Sequence, residues 1–396
     1  MKVGDLNPPT RLLCGTGPTN PDPRVLRALV APMLGQFDPA FTAIMGEIMD
    51  LGRAVFRTAN HQTFAISGTG RAAMEAGLAS LIEPGDRVLV GNCGRFGDLF
   101  VDIATRYGAS VSQVRAEWGQ IIDPQRIEDA LRKEPAKIVC MVHGETSTGM
   151  WLPLGDIGTV CRDRGALLAV DAVVTLGGVP VEADEWNIDV CFAGGQKCVG
   201  MPSGMSPITF NDRVEETLAA RRTPVVSNYL DLTQLQRYWS PERLNHHTLP
   251  TSMTYGLREA LRLILEEGLE ARFIRHRRAG NALKAGLTAM GLELFGDPRR
   301  RLPMITAVKI PESVEDEPAR LQLLEEFGVE IATSFGPIRG KIWRIGTMGY
   351  NADLRVVLAV LGGLEHVLRS RGVRVPHGIG VETAREAYLR SVPSPA

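Results

Sequence analysis

The sequence predicts an α/β protein, with an open and mostly parallel central sheet in a large domain and a smaller α+β domain at the C-terminal end. Three observations predict it. Short apolar runs, with Lys137-Ile-Val-Cys-Met-Val142 and Ala166-Leu-Leu-Ala-Val170 the clearest, read as strands buried on both faces, as parallel strands are. These runs alternate with stretches of helical spacing. Small and polar residues gather just after the runs, at the carboxyl ends of strands, where open α/β sheets bind their ligands. The expected division is an arm over residues 1–20, a large domain over 21–265 and a small domain over 266–396.

Residues 1–20 are rich in proline and glycine and end in Leu13-Cys-Gly-Thr-Gly-Pro-Thr-Asn20. This reads either as a connector or as an arm whose tight turn brings backbone close to a ligand. From Pro39 to Arg57, apolar residues at Phe41, Ile44, Met45, Ile48, Leu51 and Val55 have the spacing of one helix face. Just before it, Gln36 is a polar residue between apolar neighbours. Phe64 to Ala76 runs from a short strand through Ser67-Gly-Thr-Gly70 into an alanine-rich helix, whose free N–H groups and positive end suit a phosphate. The string also matches the dinucleotide fingerprint, but that reading needs an acid at the end of the next strand. Here Asp86 precedes the strand Arg87-Val-Leu-Val90, so a single phosphate group is the better ligand. Gly91-Asn-Cys-Gly-Arg-Phe-Gly97 then places Phe96 on a flexible turn, where its ring either stacks on a planar ligand or packs on the surface.

The strand at 137–142 opens into His143-Gly-Glu-Thr-Ser-Thr-Gly149, a polar loop in which Thr146 offers a hydroxyl. A helix and the strand at 166–170 deliver Asp171, and a further short strand leads into Phe192-Ala-Gly-Gly-Gln-Lys-Cys-Val-Gly-Met-Pro-Ser-Gly204. Between 222 and 253 the alternation gives way to a long connection without obvious secondary structure, which holds Arg243-Leu-Asn-His-His-Thr248. Its adjacent histidines are expected to point apart and have no third ligand nearby, so no metal is expected. A long amphipathic helix then starts near Met253, breaks at Gly268 and runs towards Met290, linking the two domains. Beyond it, Ile305 to Ile310 reads as a strand, Ala319 to Phe327 as a helix and Lys341 to Gly346 as a strand. Arg344 in that last strand is flanked by apolar residues, where a guanidinium is costly unless paired. It therefore has an internal acid or awaits a carboxylate substrate.

Composition narrows the function. The chain has 396 residues, 44% of them hydrophobic and 22% charged, with a formal net charge of −1 and no block of like charge. Nothing there favours nucleic acid or an anionic membrane, and a small-molecule partner fits better. The six cysteines lack C-x-x-C spacing, the N-terminus lacks an apolar signal core, and no uncharged apolar stretch is long enough for a bilayer. A cytoplasmic location with free thiols is expected.

The chemistry centres on Lys197. Glycines and small residues around it let the backbone turn tightly and leave the amine unshielded. Asp171, at the end of the preceding buried strand, can face the same pocket. Singly, each residue has a plainer reading, an N-cap for the aspartate and a solvated turn for the lysine. Together they meet the needs of pyridoxal phosphate (PLP) chemistry: a lysine that binds the cofactor covalently, and an acid that keeps the pyridine nitrogen protonated.

With Lys197, Asp171, the Ser67-Gly-Thr-Gly70 turn, Phe96 and Arg344 in place, the chain resembles the fold-type I PLP enzymes of the class V aminotransferases over nearly its whole length. Within that class it is similar to the alanine–glyoxylate and serine–glyoxylate group through His143-Gly-Glu-Thr-Ser-Thr-Gly149, Val170-Asp-Ala-Val173, Gly195-Gln-Lys197 and His246-His-Thr248. More narrowly it resembles the ureidoglycine–glyoxylate branch, which acts in purine catabolism, through Leu34-Gly-Gln-Phe-Asp-Pro39, Gly94-Arg-Phe-Gly97, Arg243-Leu-Asn-His-His-Thr248 and Trp343-Arg-Ile-Gly-Thr-Met-Gly349. The resemblance implies that Lys197 holds PLP, Asp171 pairs with the ring nitrogen, Phe96 and Val173 cover opposite ring faces, and Thr146 binds near the ring hydroxyl. It further implies that Thr69, Gly70, Arg71 and Gln196 hold the phosphate, with Thr248 reaching in from the other subunit of a homodimer. Arg344 would bind the substrate carboxylate, with glyoxylate as acceptor. Gln36 and Asn245 would recognise the donor, because carboxamides both donate and accept hydrogen bonds as a ureido group requires. Two departures stand out: Phe96 replaces the tryptophan, and Arg71 the histidine, of alanine–glyoxylate members. Cysteine desulfuration, a related activity, is not expected, since no cysteine follows Cys198.

Overall fold

The computed structural model describes residues 3–390. Its first long helix, α1 (Pro39–Phe56), shows how the sequence sets an element. Asp38 accepts a hydrogen bond from the Ala40 N–H at 2.8 Å, Pro39 occupies the first turn, and Arg57 closes the helix at φ 53°. Phe41, Met45, Ile48 and Val55 are buried.

The central sheet contains β2 (Gln62–Gly68), β3 (Arg87–Asn92), β4 (Ser110–Arg115), β5 (Ile138–Val142), β6 (Leu167–Asp171), β7 (Val190–Phe192) and β8 (Gly204–Phe210). Their order across the sheet is β2-β8-β7-β6-β5-β3-β4, and β8 is antiparallel to both neighbours while the other adjacent pairs are parallel. Every residue of β5 and β6 is buried, as expected of strands covered by helices on both faces. Val142, Asp171 and Phe192 stand in one row, so the loops after β5, β6 and β7 leave the sheet at the same level. Helices α2 (Gly70–Leu81) and α3 (Arg95–Arg106) follow β2 and β3 from that same edge. The strand ends, their register and the antiparallel β8 together put all the loops of interest in one place.

Two elements differ from the sequence reading. Phe96 lies in the first turn of α3, not on a flexible turn. The connection between 222 and 253 contains a helix, α4 (Leu232–Trp239), which buries Leu232, Leu235, Tyr238 and Trp239. After it, α5 (Thr251–Glu267) and α6 (Leu269–Ala289) are separated at Gly268, whose φ of +84° lets the chain leave one helix and enter the next.

A second hydrophobic cluster forms around β9 (Ile305–Lys309), β10 (Val329–Glu330), β11 (Ala332–Thr333) and β12 (Ile342–Gly346), with α6, α7 (Asp316–Phe327), α8 (Leu354–Ser370) and α9 (Ile379–Arg390). Strand β12 lies between β9 and β11, antiparallel to each. The short strand β1 (Leu12–Leu13) joins this region by pairing in parallel with β10. Among the described residues, no helix is long and apolar enough to cross a membrane.

Candidate active site

Lys197 sits in a one-turn segment, Gly195–Val199, directly after β7 and ends in a cavity of about 150 Å³. The cavity is lined by Thr69, Gly70 and Arg71 after β2, Phe96 in α3, Thr146 after β5, Asp171 and Val173 at the end of β6, and Gln196. Met74 and Leu99, two apolar residues that the sequence reading did not assign, complete its wall. The sheet edge thus brings together residues far apart in sequence. At the start of α2, Thr69 makes no side-chain cap, which leaves first-turn N–H groups for an anion. A Cβ on Gly70 would lie 2.9 Å from Val173 Cγ2, so only glycine lets the helix start come this close to β6.

Burial dominates the electrostatics. It pulls the Lys197 amine down to about 8, with the Arg344 cation acting in the same direction and Asp171 opposing. It pushes the Asp171 carboxyl up to about 7, where the Val173 N–H bond and Lys197 oppose the rise and the neighbouring Glu145 adds to it. The Lys197 amine donates to the Thr16 carbonyl in the N-terminal arm. Among the described residues, Arg344 has no carboxylate hydrogen-bond partner. Its Nε and Nη2 donate to the Thr333 carbonyl and its Nη1 to the Thr146 carbonyl at 3.0 Å, while its guanidinium lies 4.8 Å from the Phe335 ring centre. The internal acid expected as one alternative does not appear among these bonds: backbone carbonyls hold the side chain through three of its five N–H donors, and two donors remain for the other alternative, a carboxylate substrate.

The family profile described as "Aminotransferase class-V" matches residues 25–342. The chain belongs to the class V aminotransferases. It is 50% identical to the (S)-ureidoglycine–glyoxylate transaminase of Bacillus subtilis (strain 168), covering 97% of both chains. It is 40% identical to alanine–glyoxylate aminotransferase from Rattus norvegicus, over 92% of this chain and 90% of that one. The crystal structure of ureidoglycine–glyoxylate aminotransferase from Bacillus subtilis superposes with a TM-score of 0.96 at 52% identity, covering 98% of this chain and all of the other. The protein is therefore a PLP-dependent aminotransferase of fold type I.

The residues of this aminotransferase fit that cofactor. Asp171 is a buried carboxyl whose one hydrogen bond at 2.8 Å comes from a backbone N–H, so it suits a protonated ring nitrogen. Gln196 brings a carboxamide to the same pocket with its oxygen buried and unpartnered. Three residues expected at the site lie elsewhere in this chain. Asn245 and Thr248 are exposed, and Asn245 accepts a hydrogen bond from Gln36 at 3.0 Å outside the cavity. Nor do the adjacent histidines point apart: their Nδ1 atoms are 2.8 Å from each other, and His247 Nε2 is 2.7 Å from Ser67 Oγ beside the phosphate turn. One nitrogen of that pair carries the shared proton, a contact that i, i+1 spacing alone does not reveal.

Sequence reasoning offered a backbone approach to a ligand in the turn holding Thr16 without singling out that residue, and it passed over two buried clusters. Glu145 was visible in the polar loop after β5 but had no assigned role. The second cluster lies behind Lys197. Arg272 donates to Gly177 O at 2.9 Å, Cys198 O at 2.8 Å and Glu267 at 2.7 Å, while Arg275 joins Glu267 to Gly349 O. His276 accepts from the Gly349 N–H at 3.0 Å. Such residues look like an ordinary charged helix face until the fold buries them.

Proposed function

We propose that this enzyme transfers the amino group of (S)-ureidoglycine to glyoxylate, giving N-carbamoyl-2-oxoglycine (oxalurate) and glycine, as a step of purine catabolism. The observation that carries the substrate reading is the Gln36–Asn245 carboxamide pair on a 50% identical background. Both side chains offer a donor and an acceptor, which the ureido group matches and a tyrosine would not.

Bound PLP supplies an electron sink that makes the donor's Cα–H acidic. The chain does the rest. Asp171 would keep the ring nitrogen protonated, and Phe96 and Val173 would hold the ring between them. Thr146 would meet the ring hydroxyl, while Thr69, Gly70, Arg71 and Gln196 would hold the phosphate at the start of α2. Arg344, fixed on two carbonyls, turns its remaining donors to the substrate carboxylate. The Lys197 amine, lowered to about 8 by burial, would act as the base that takes the proton from the donor's Cα and returns it in the reverse sense.

We place Asn245 and Thr248 in the active site of the other subunit of a homodimer. Support comes from their exposure together with exposed Met33, Phe37, Val226, Tyr229 and Leu244 on the same two segments. All six cysteines are free and buried, in keeping with a cytoplasmic enzyme. The reading is tested by a donor screen with glyoxylate as acceptor, using freshly generated ureidoglycine, alanine and serine. Preferred turnover of ureidoglycine supports it; preference for alanine or serine makes the enzyme an alanine–glyoxylate or serine–glyoxylate aminotransferase. Lys197→Ala should retain PLP and lose amino exchange, and exchange at the wild-type rate would place the base elsewhere.

A further inference from the structure

Glu145 is 1% exposed, stands next to the cavity-lining Thr146, and lies near both Asp171 and Arg344. Every hydrogen bond its carboxylate makes is accepted. Its Oε1 takes the Ser147 N–H at 3.0 Å and the Ser147 hydroxyl at 2.5 Å, and its Oε2 takes the Phe96 N–H at 3.1 Å. The Ser147 hydroxyl in turn accepts the Arg95 N–H at 3.1 Å. Glu145 and Ser147 together therefore satisfy the first N–H groups of α3, whose own N-cap, Gly94, has no side chain to do so. Contact is close: a Cβ on Gly94 would lie 2.5 Å from both Glu145 Cδ and Ser147 Oγ. An anion is favourable at this helix end.

Thr146 lies between the two clamp residues and faces the cavity, as does Phe96, the second residue of α3. Two further bonds hold the loop from its other side, Arg344 on Thr146 O at 3.0 Å and Ser334 on Ser147 O at 2.5 Å. We infer that Glu145 is a positioning residue: through Ser147 and the first turn of α3 it fixes Phe96 and Thr146 relative to each other, and so sets the ring orientation of the cofactor. This inference rests on the PLP reading of the pocket.

The test uses Glu145→Gln, which keeps the shape and turns one acceptor into a donor facing N–H groups. In cofactor-free protein, hydrogen exchange at the Phe96 amide should speed up roughly ten-fold, as expected for the loss of one charge-assisted bond. In cofactor-loaded protein, the visible circular dichroism per bound PLP, which reports ring orientation, should fall roughly two-fold, and PLP affinity should drop about ten-fold. Ser147→Ala should move all three readings in the same direction by less. A folded Glu145→Gln protein with wild-type exchange and dichroism overturns the inference, as does a lower melting temperature with neither reading moved. If Glu145→Gln does not fold, unchanged readings in Ser147→Ala overturn it and changed ones support it. Failure of the PLP reading itself would look different, because wild-type protein would then show no visible band while amide exchange still reported on the clamp.

Discussion

Two cations, Lys197 and Arg344, share one buried corner with two carboxyls, Asp171 and Glu145, and the balance among them decides what each residue does. The Lys197 amine is held at about 8 against an ordinary 10.5, so the folded state binds that proton less readily than the unfolded chain. Stability therefore rises with pH between about 8 and 10.5, by on the order of 3 kcal/mol from this group. Cofactor-free wild type should gain on the order of 3 kcal/mol more than Lys197→Met over that range. Lys284, also lowered by burial, is common to both proteins and cancels in the difference. Arg344→Lys should weaken donor and glyoxylate binding by at least ~1.5 kcal/mol each, since lysine lacks the planar fork and one amine does not span Thr146 O and Thr333 O. Single half-reaction titrations measure it, and unchanged affinity for glyoxylate places the carboxylate clamp elsewhere. Asn245→Tyr should depress ureidoglycine turnover more than that of alanine or serine; equal loss for all donors assigns Asn245 to loop support.

At the scale of elements, what counts is how closely helices approach the sheet, and glycines set that distance. Gly70→Ala pushes a methyl into Val173 at the start of α2, so PLP affinity should fall while the melting temperature changes little. Gly158→Ala offers the contrast. Its Cβ would lie 1.7 Å from the Trp186 carbonyl oxygen, in the helix Gly155–Asp163, none of whose residues lines the cavity, and overpacking of this kind costs about 1–3 kcal/mol. Thermal unfolding and PLP titration of both variants separate the two effects. The elements most legible in the sequence were those whose burial is written in consecutive residues, such as β5, β6 and the turn into α2. The break at Gly268 was legible for a related reason, since glycine marks a change of direction. Helix α4 was hidden because its four buried residues, Leu232, Leu235, Tyr238 and Trp239, are interleaved with polar ones in a segment only eight residues long. Phe96 was placed on a loop because its helix is capped from a loop about fifty residues further along the chain, by Glu145 and Ser147. Lys197 and Asp171 were legible because each residue type carries its own chemistry, and the fold brings both to one cavity. Residues whose role lies in contacts between distant segments, such as Glu145 and Arg272, were not legible.

For the whole molecule, the exposed apolar residues on the segments around Gln36 and Asn245 call for a partner surface. Sedimentation should show a dimer at working concentration, and an active monomer would refute the shared site. The N-terminal arm carries a different consequence. Thr16 and Gly17 lie against the Lys197 amine, yet the arm is held mainly from the far end of the chain: β1 pairs with β10, the Thr19 hydroxyl donates to Met348 O at 2.9 Å, and Asn351 donates to Leu13 O at 3.0 Å. During synthesis, the arm must then wait for β10, Met348 and Asn351 before it has a seat. A nascent chain that has not reached Val329 has every strand of the central sheet but no partner for β1, so Thr16 is held against Lys197 only after the strands of the second cluster have been made.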